Sequence, residues 1–140
     1  MRLHVTYAGG TIGMIDSPEG LRPGADLQGW FSSQLDGIEV ASNISMSVLD
    51  PLIDSSEATP EDWQTIIDDI TAHATQADAF LVLHGTDTMA YTAAALSYAL
   101  ADLGKPVVIT GSQYPLGVVG SDASANVTGA LRAAMSRRAR

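Results

Sequence analysis

Along the chain, short apolar blocks alternate with longer stretches in which apolar residues recur every three or four positions. Arg2 to Tyr7 alternates apolar with polar and predicts a first strand, and Ile44 to Leu49 predicts a second in the same way. Ala79 to Leu83 and Pro106 to Thr110 are apolar almost throughout, as parallel strands covered on both faces are. The helical patterns lie between them. Ala25 to Leu35 is weakly helical. Thr59-Pro60-Glu61-Asp62 is a strong helix start, with Thr as N-cap, Pro at the first helical position and acids in the first turn. Trp63, Ile66, Ile67, Ile70 and Ala74 follow it on one face. Met89, Ala93, Leu96, Leu100 and Leu103 mark a further helix that stops at Gly104, and a last one runs from about Ala123 to Arg137. The stretch from Gly9 through Pro23 reads as a Gly-rich turn and a polar loop, and Gly111 to Gly120 as a second loop. This alternation predicts a doubly wound, mostly parallel α/β sheet with helices on both faces.

No repeat or low-complexity linker divides the chain, and its 140 residues suit one domain with a sizeable core. It stops directly after a helix, where another strand would be expected, so the domain is expected to be incomplete. The net charge of −9 argues against nucleic acid as a partner, since phosphate binding needs clustered Lys and Arg. Arg132, Arg137, Arg138 and Arg140 crowd the end of the chain and read as a solvated helix terminus complementing the helix dipole. Cysteine is absent, which excludes disulfides, thiolate catalysis and Cys-ligated metals. No apolar run is long enough to span a bilayer and no secretion signal opens the chain, so a cytoplasmic protein is expected. His4, His73 and His84 lack metal-ligand spacing; neither a metal nor another cofactor is expected.

Three polar turns follow the first three strands. In a parallel sheet these positions share the carboxyl edge, where such folds hold their ligands. Gly9-Gly10-Thr11 matches neither phosphate-binding glycine pattern, and by itself its threonine reads as a turn residue. Asp54-Ser55-Ser56-Glu57 by itself reads as a loop of turn formers. His84-Gly85-Thr86-Asp87-Thr88-Met89 sets a hydroxyl and a carboxylate beside a helix start, with His84 as a hydrogen-bonded strand-end residue. Asp122 and Asn126, near the last helix start, read most simply as capping groups. Two hydroxyl-bearing turns on one edge point to a threonine-based active site.

Together, Tyr7-Ala8-Gly9-Gly10-Thr11-Ile12-Gly13-Met14 and His84-Gly85-Thr86-Asp87-Thr88-Met89 resemble the two signatures of the bacterial-type L-asparaginases, most closely the cytoplasmic type I enzymes. Asp54-Ser55-Ser56, Thr59-Pro60-Glu61-Asp62-Trp63 and Lys105 to Gln113 extend the resemblance over essentially the whole chain. It implies the Rossmann-like amino-terminal domain of that family, residues 1–140, truncated and without the smaller carboxyl-terminal domain. It also implies hydrolysis of L-asparagine to L-aspartate and ammonia through a β-aspartyl ester on Thr11. By resemblance, Thr86 joins the proton relay and Asp87 binds the substrate's α-amino group. Ser55 and Ser56 hold the α-carboxylate, and Glu57 faces the substrate. A homo-oligomer, dimer or tetramer, is implied for the full-length form. The chain departs from the family at Ala8, where Thr is usual, and at Leu21, where a loop tyrosine stands. The relay lysine is missing: the single lysine, Lys105, opens the fourth strand, and five strand residues put it roughly 16 Å from the catalytic edge. Low activity of the isolated chain is therefore expected. A second reading is a non-catalytic L-asparagine- or L-aspartate-binding module built from Ser55, Ser56, Thr86 and Asp87. A third, an amidohydrolase acting on a tRNA-linked glutamine, is disfavoured by the acidic composition.

Overall fold

The computed structural model describes residues 1–34 and 43–136. Strand β1 (Arg2–Tyr7) leads into a 3-10 turn at Thr11–Gly13 and an antiparallel hairpin of β2 (Met14–Ser17) and β3 (Gly20–Pro23). Helix α1 (Leu27–Gln34) and strand β4 (Asn43–Val48) come next. They are followed by α2 (Pro60–Ala72), β5 (Ala79–Leu83), α3 (Met89–Ala99), β6 (Val107–Thr110) and α4 (Ala123–Met135). The main sheet runs β4-β1-β5-β6, all parallel. Alternate residues divide the core. Leu3, Val5 and Tyr7 of β1 and Leu81 and Leu83 of β5 pack against Leu27 and Phe31 of α1 and Val127 and Leu131 of α4. Phe80 and Val82 pack on the opposite face against Ile66 and Ile70 of α2 and Leu96 of α3. The doubly wound arrangement thus stands as the alternation predicted, with every strand of the main sheet in its expected place.

Three local expectations change. The polar loop before Pro23 contains the hairpin, whose turn is closed by the Ser17 hydroxyl donating to the Gly20 carbonyl at 2.6 Å. The last turn of α3 tightens into a 3-10 segment, Ala101–Leu103, before Gly104. Strand β6 is half-buried along its whole length rather than covered on both faces, because it ends the sheet among the described residues. The helix start at Thr59 is as expected: the Asp62 carboxylate accepts from the Thr59 N–H at 2.8 Å and from its hydroxyl at 2.9 Å. The carboxyl ends predicted for α1 and α4, at Leu35 and Arg137, lie outside the described residues, as do Arg138 and Arg140. No helix among the described residues is long and apolar enough to cross a membrane.

Between β1, β4 and α2 lies a polar network that the spacing of its residues had hidden. Asp69 accepts from the Thr6 hydroxyl at 2.6 Å and lies 3.1 Å from Nε2 of the buried His4. The His73 ring stacks on His4 with centroids 3.7 Å apart and planes 13° from parallel. Burial alone would raise the Asp69 pKa, but hydrogen bonds from His4, Thr6 and Ser47 outweigh it and hold the group at about 2, against an ordinary 3.8. A lowered folded value means that the carboxylate's contribution is complete above the unfolded pKa and is lost as pH falls from about 4 to about 2. Asp69→Asn should therefore lower stability at neutral pH by about 1–2 kcal/mol, less than the full shift implies because water reaches part of the group. Urea titrations should also show a flatter pH dependence across that window, and an unchanged slope would refute the assignment.

Candidate functional site

The strand register sets the site. Tyr7 stands opposite Val48 on one side and Leu83 on the other, and Leu83 stands opposite Thr110, so all four strands of the main sheet end on one line. The chain leaves β1 towards β4 with α1 on one face, then returns to β5 with α2 on the other. The crevice between β1 and β5 is therefore the topological switch point, where parallel sheets bind ligands. The turns after β1 and β5 face each other across it.

Close backbone packing brings these turns together. Ala8 N–H donates to Leu83 O at 2.9 Å, and Ile53 N–H donates to Ala8 O at 2.7 Å, which carries the segment after β4 into the same place. Gly10 adopts φ +91°, and a Cβ added there would come within 2.6 Å of the Gly85 backbone. Only glycine supplies both that conformation and that approach. On the far side, His84 is buried. Its Nδ1–H donates to Gly85 O at 2.7 Å, and the Thr92 hydroxyl donates to its Nε2 at 3.1 Å. Thr92 in turn receives the Trp63 indole N–H at 3.1 Å. His84 thus holds the Gly85 turn from beneath, as a hydrogen-bonded strand-end residue.

The result is a cleft of about 210 Å³ whose walls include Thr11, Ser55, Thr86 and Asp87. Thr11 and Thr86 are half-buried, Asp87 is exposed, and Ser55 is buried with its hydroxyl donating to Asp87 Oδ2 at 3.0 Å. The Thr88 hydroxyl donates to Ser55 O at 2.6 Å, fastening the two turns. No carboxylate or imidazole among the described residues hydrogen-bonds the Thr11 hydroxyl. Ser56 and Glu57 do not line the cleft. Both are exposed, because Asp54 draws the Ser55–Glu57 turn onto itself. Its carboxylate accepts from Ser56 N at 2.9 Å and from the Ser56 hydroxyl at 2.8 Å. Those two bonds, the backbone one first, hold the Asp54 carboxyl below the usual range.

Tyr7, Asp54, Met14 and Pro23 also line the cleft; the first three fall in motifs that the sequence singled out, without a site role of their own, and Pro23 in none. The hairpin brings in Met14 and Pro23, a placement that runs of four residues did not reveal. Leu21 lies on β3 opposite Asp16 with 48% of its surface exposed. Lys105 is at the other end of the sheet, where its ammonium donates to the carbonyls of Ala74 and Ala77. Asp122 stands at the N-cap position of α4, but its side chain makes no cap bond to that helix. It accepts from the amides of Gln113 and Tyr114, which lower its pKa, and with Asn126 it ties down the loop after β6. That loop meets the Thr11 turn through Leu116 N–H donating to Ile12 O at 3.2 Å. The ligand atoms of His4, Asp69 and His73 lie within 4.8 Å of one another, which their sequence spacing did not reveal.

A family model described as "Asparaginase, N-terminal" matches residues 2–140. L-asparaginase 1 of Escherichia coli (strain K12) is 47% identical over 134 residues, covering 92% of this chain and 39% of that protein. The structure of L-asparaginase I from Vibrio cholerae O1 biovar eltor str. N16961 superposes with a TM-score of 0.81 at 43% identity, covering 95% of this chain and 40% of that one. The 60 kDa lysophospholipase of Mus musculus is 37% identical over 152 residues, covering 93% of this chain and 27% of that protein. The chain thus spans about two-fifths of the length of the first two proteins and less of the third.

Proposed function

Because the chain belongs to the asparaginase family, in the part its N-terminal model covers, we propose that its cleft is the substrate site of an L-asparaginase. The observation that carries the reading is the meeting of Thr11, Ser55, Thr86 and Asp87 at the switch point between β1 and β5. An amino-acid ligand brings an ammonium group that needs an acceptor and a carboxylate that needs a donor. Asp87 is that acceptor, held in place by the Ser55 hydroxyl, and Ser55 becomes the donor once the incoming ammonium takes over its bond to Asp87. Ser56 and Glu57 stand just outside, and Ser56 would reach a ligand only on release from Asp54.

In this reading the Thr11 oxygen attacks the side-chain amide carbon of L-asparagine and gives up its proton to the relay that Thr86 joins. Backbone amides of the Thr86–Asp87 turn hold the developing oxyanion. Collapse expels ammonia and leaves a β-aspartyl ester on Thr11; water then cleaves the ester and releases L-aspartate. We read residues 1–140 as the amino-terminal domain of this enzyme, with a cytoplasmic location by its resemblance to the type I enzymes. A homo-oligomer, dimer or tetramer, is proposed for the full-length form on the family resemblance alone.

The test is ammonia release from L-asparagine over long incubation by the wild-type chain and by Thr11→Ala. Hydrolysis above the uncatalysed background that vanishes in the variant is the expected result. Equal rates in both would remove Thr11 as nucleophile. Saturable L-aspartate binding with no turnover in either would favour a binding module.

A further inference from the structure

Tyr7 is the last residue of β1, and its ring belongs to the apolar cluster formed with Ile12, Leu27 and Phe31. It is only 5% exposed, yet it lines the cleft beside Thr11. A Cβ added to Gly13 would collide with the phenol oxygen, so that oxygen lies against the backbone of the turn that carries Thr11. Among the described residues its one hydrogen-bond partner is the Gly10 carbonyl at 3.5 Å, beyond the usual range for a hydroxyl donor. A buried hydroxyl held this loosely is a donor short of an acceptor.

We infer that the Tyr7 phenol donates a hydrogen bond to the side-chain oxygen of the bound amino acid, and so reads the end of the ligand that reacts. This rests on the asparaginase reading of the cleft and adds a positioning residue to it. Chemistry and place both favour the side-chain end. Asp54 and Asp87 offer carboxylate oxygens, which accept and cannot donate. Ser55 and Asp87 engage the α-amino-acid end of the ligand, whereas the phenol sits against Gly10 and Gly13, which flank Thr11. Packing on the ring fixes where the phenol oxygen lies. Burial also pushes the Tyr7 pKa up, so the phenol keeps its proton at neutral pH.

The test is calorimetric titration of the whole chain and of Tyr7→Phe with L-aspartate, whose β-carboxylate stands for the amide oxygen, and with L-alanine, which has no side-chain oxygen. The expected result is roughly tenfold weaker L-aspartate binding by Tyr7→Phe, with L-alanine affinity unchanged. A tyrosine difference spectrum should accompany L-aspartate binding in the wild type and be absent in the variant. Matching thermal unfolding of the two proteins checks that the variant folds. Equal L-aspartate affinities would overturn the inference and leave the cleft's assignment standing. Equal losses for both ligands would reduce Tyr7 to a structural role and overturn it too. No saturable L-aspartate binding by the wild type would overturn the inference and the reading of the cleft together.

Discussion

Purified by itself, the chain should release ammonia from L-asparagine roughly 10²–10⁴-fold more slowly than a full-length relative, the range that positioned proton transfer contributes to enzymatic rates. The reason lies at Thr11. A hydroxyl is a poor nucleophile at neutral pH until a neighbour takes its proton, and no such group bonds it among the described residues. The lysine that the family resemblance requires is not supplied by Lys105, whose ammonium is held by the Ala74 and Ala77 carbonyls at the amino-terminal edge of the sheet. Leu21, in place of the loop tyrosine, can donate no proton either. A coupled assay for ammonia under saturating substrate measures the difference. Turnover within a factor of a few of a full-length relative would show that this cleft carries its own relay and would refute the prediction.

Gly10→Ala should be a severely damaging single-methyl change at the site, costing about 2–5 kcal/mol. Two effects add: a non-glycine residue at φ +91°, and a Cβ at 2.6 Å from backbone atoms of Gly85 that cannot swing aside. Against a typical total of 5–15 kcal/mol, such a loss is a large share of the stability and should show as a clear fall in the urea midpoint. Gly104→Ala separates the two effects. It has a left-handed φ of +65° with nothing within 4 Å of the new atom, so only the conformational part, about 1 kcal/mol, applies. Urea unfolding of both variants decides the point. Equal costs would show that backbone approach between the two turns contributes nothing.

Much of this architecture was legible because the two hydrophobic periods were clean. The apolar run at Ala79 to Leu83 and the capped start at Thr59 left little room for another reading, and both elements formed where expected. The meeting of Thr11, Ser55, Thr86 and Asp87 followed from one inference, that turns after parallel strands share an edge. The misses have physical causes. The hairpin strands are four residues each, too short for alternation to emerge from a loop rich in turn formers. His4 and Asp69 are 65 residues apart, and only the packing of α2 on the sheet joins them. The orientation of the Ser55–Glu57 turn is set locally: the Asp54 carboxylate binds the Ser56 amide and hydroxyl, and Ser56 and Glu57 are exposed. Adjacency in sequence says little about which way a 3-10 turn points its side chains. Tyr7 read as a strand end because nothing in a sequence shows that a hydroxyl lacks a good acceptor.

The placement of Lys105 has a practical corollary for handling the molecule. It is the chain's single lysine, and with Met1 it borders a groove at the amino-terminal ends of the strands. Both primary amines therefore lie at the pole opposite Thr11 and Asp87. Because the Lys105 ammonium is held by two carbonyls, coupling to a bead or sensor surface through the Met1 amine would seat the copies the same way up, with the cleft facing the solution.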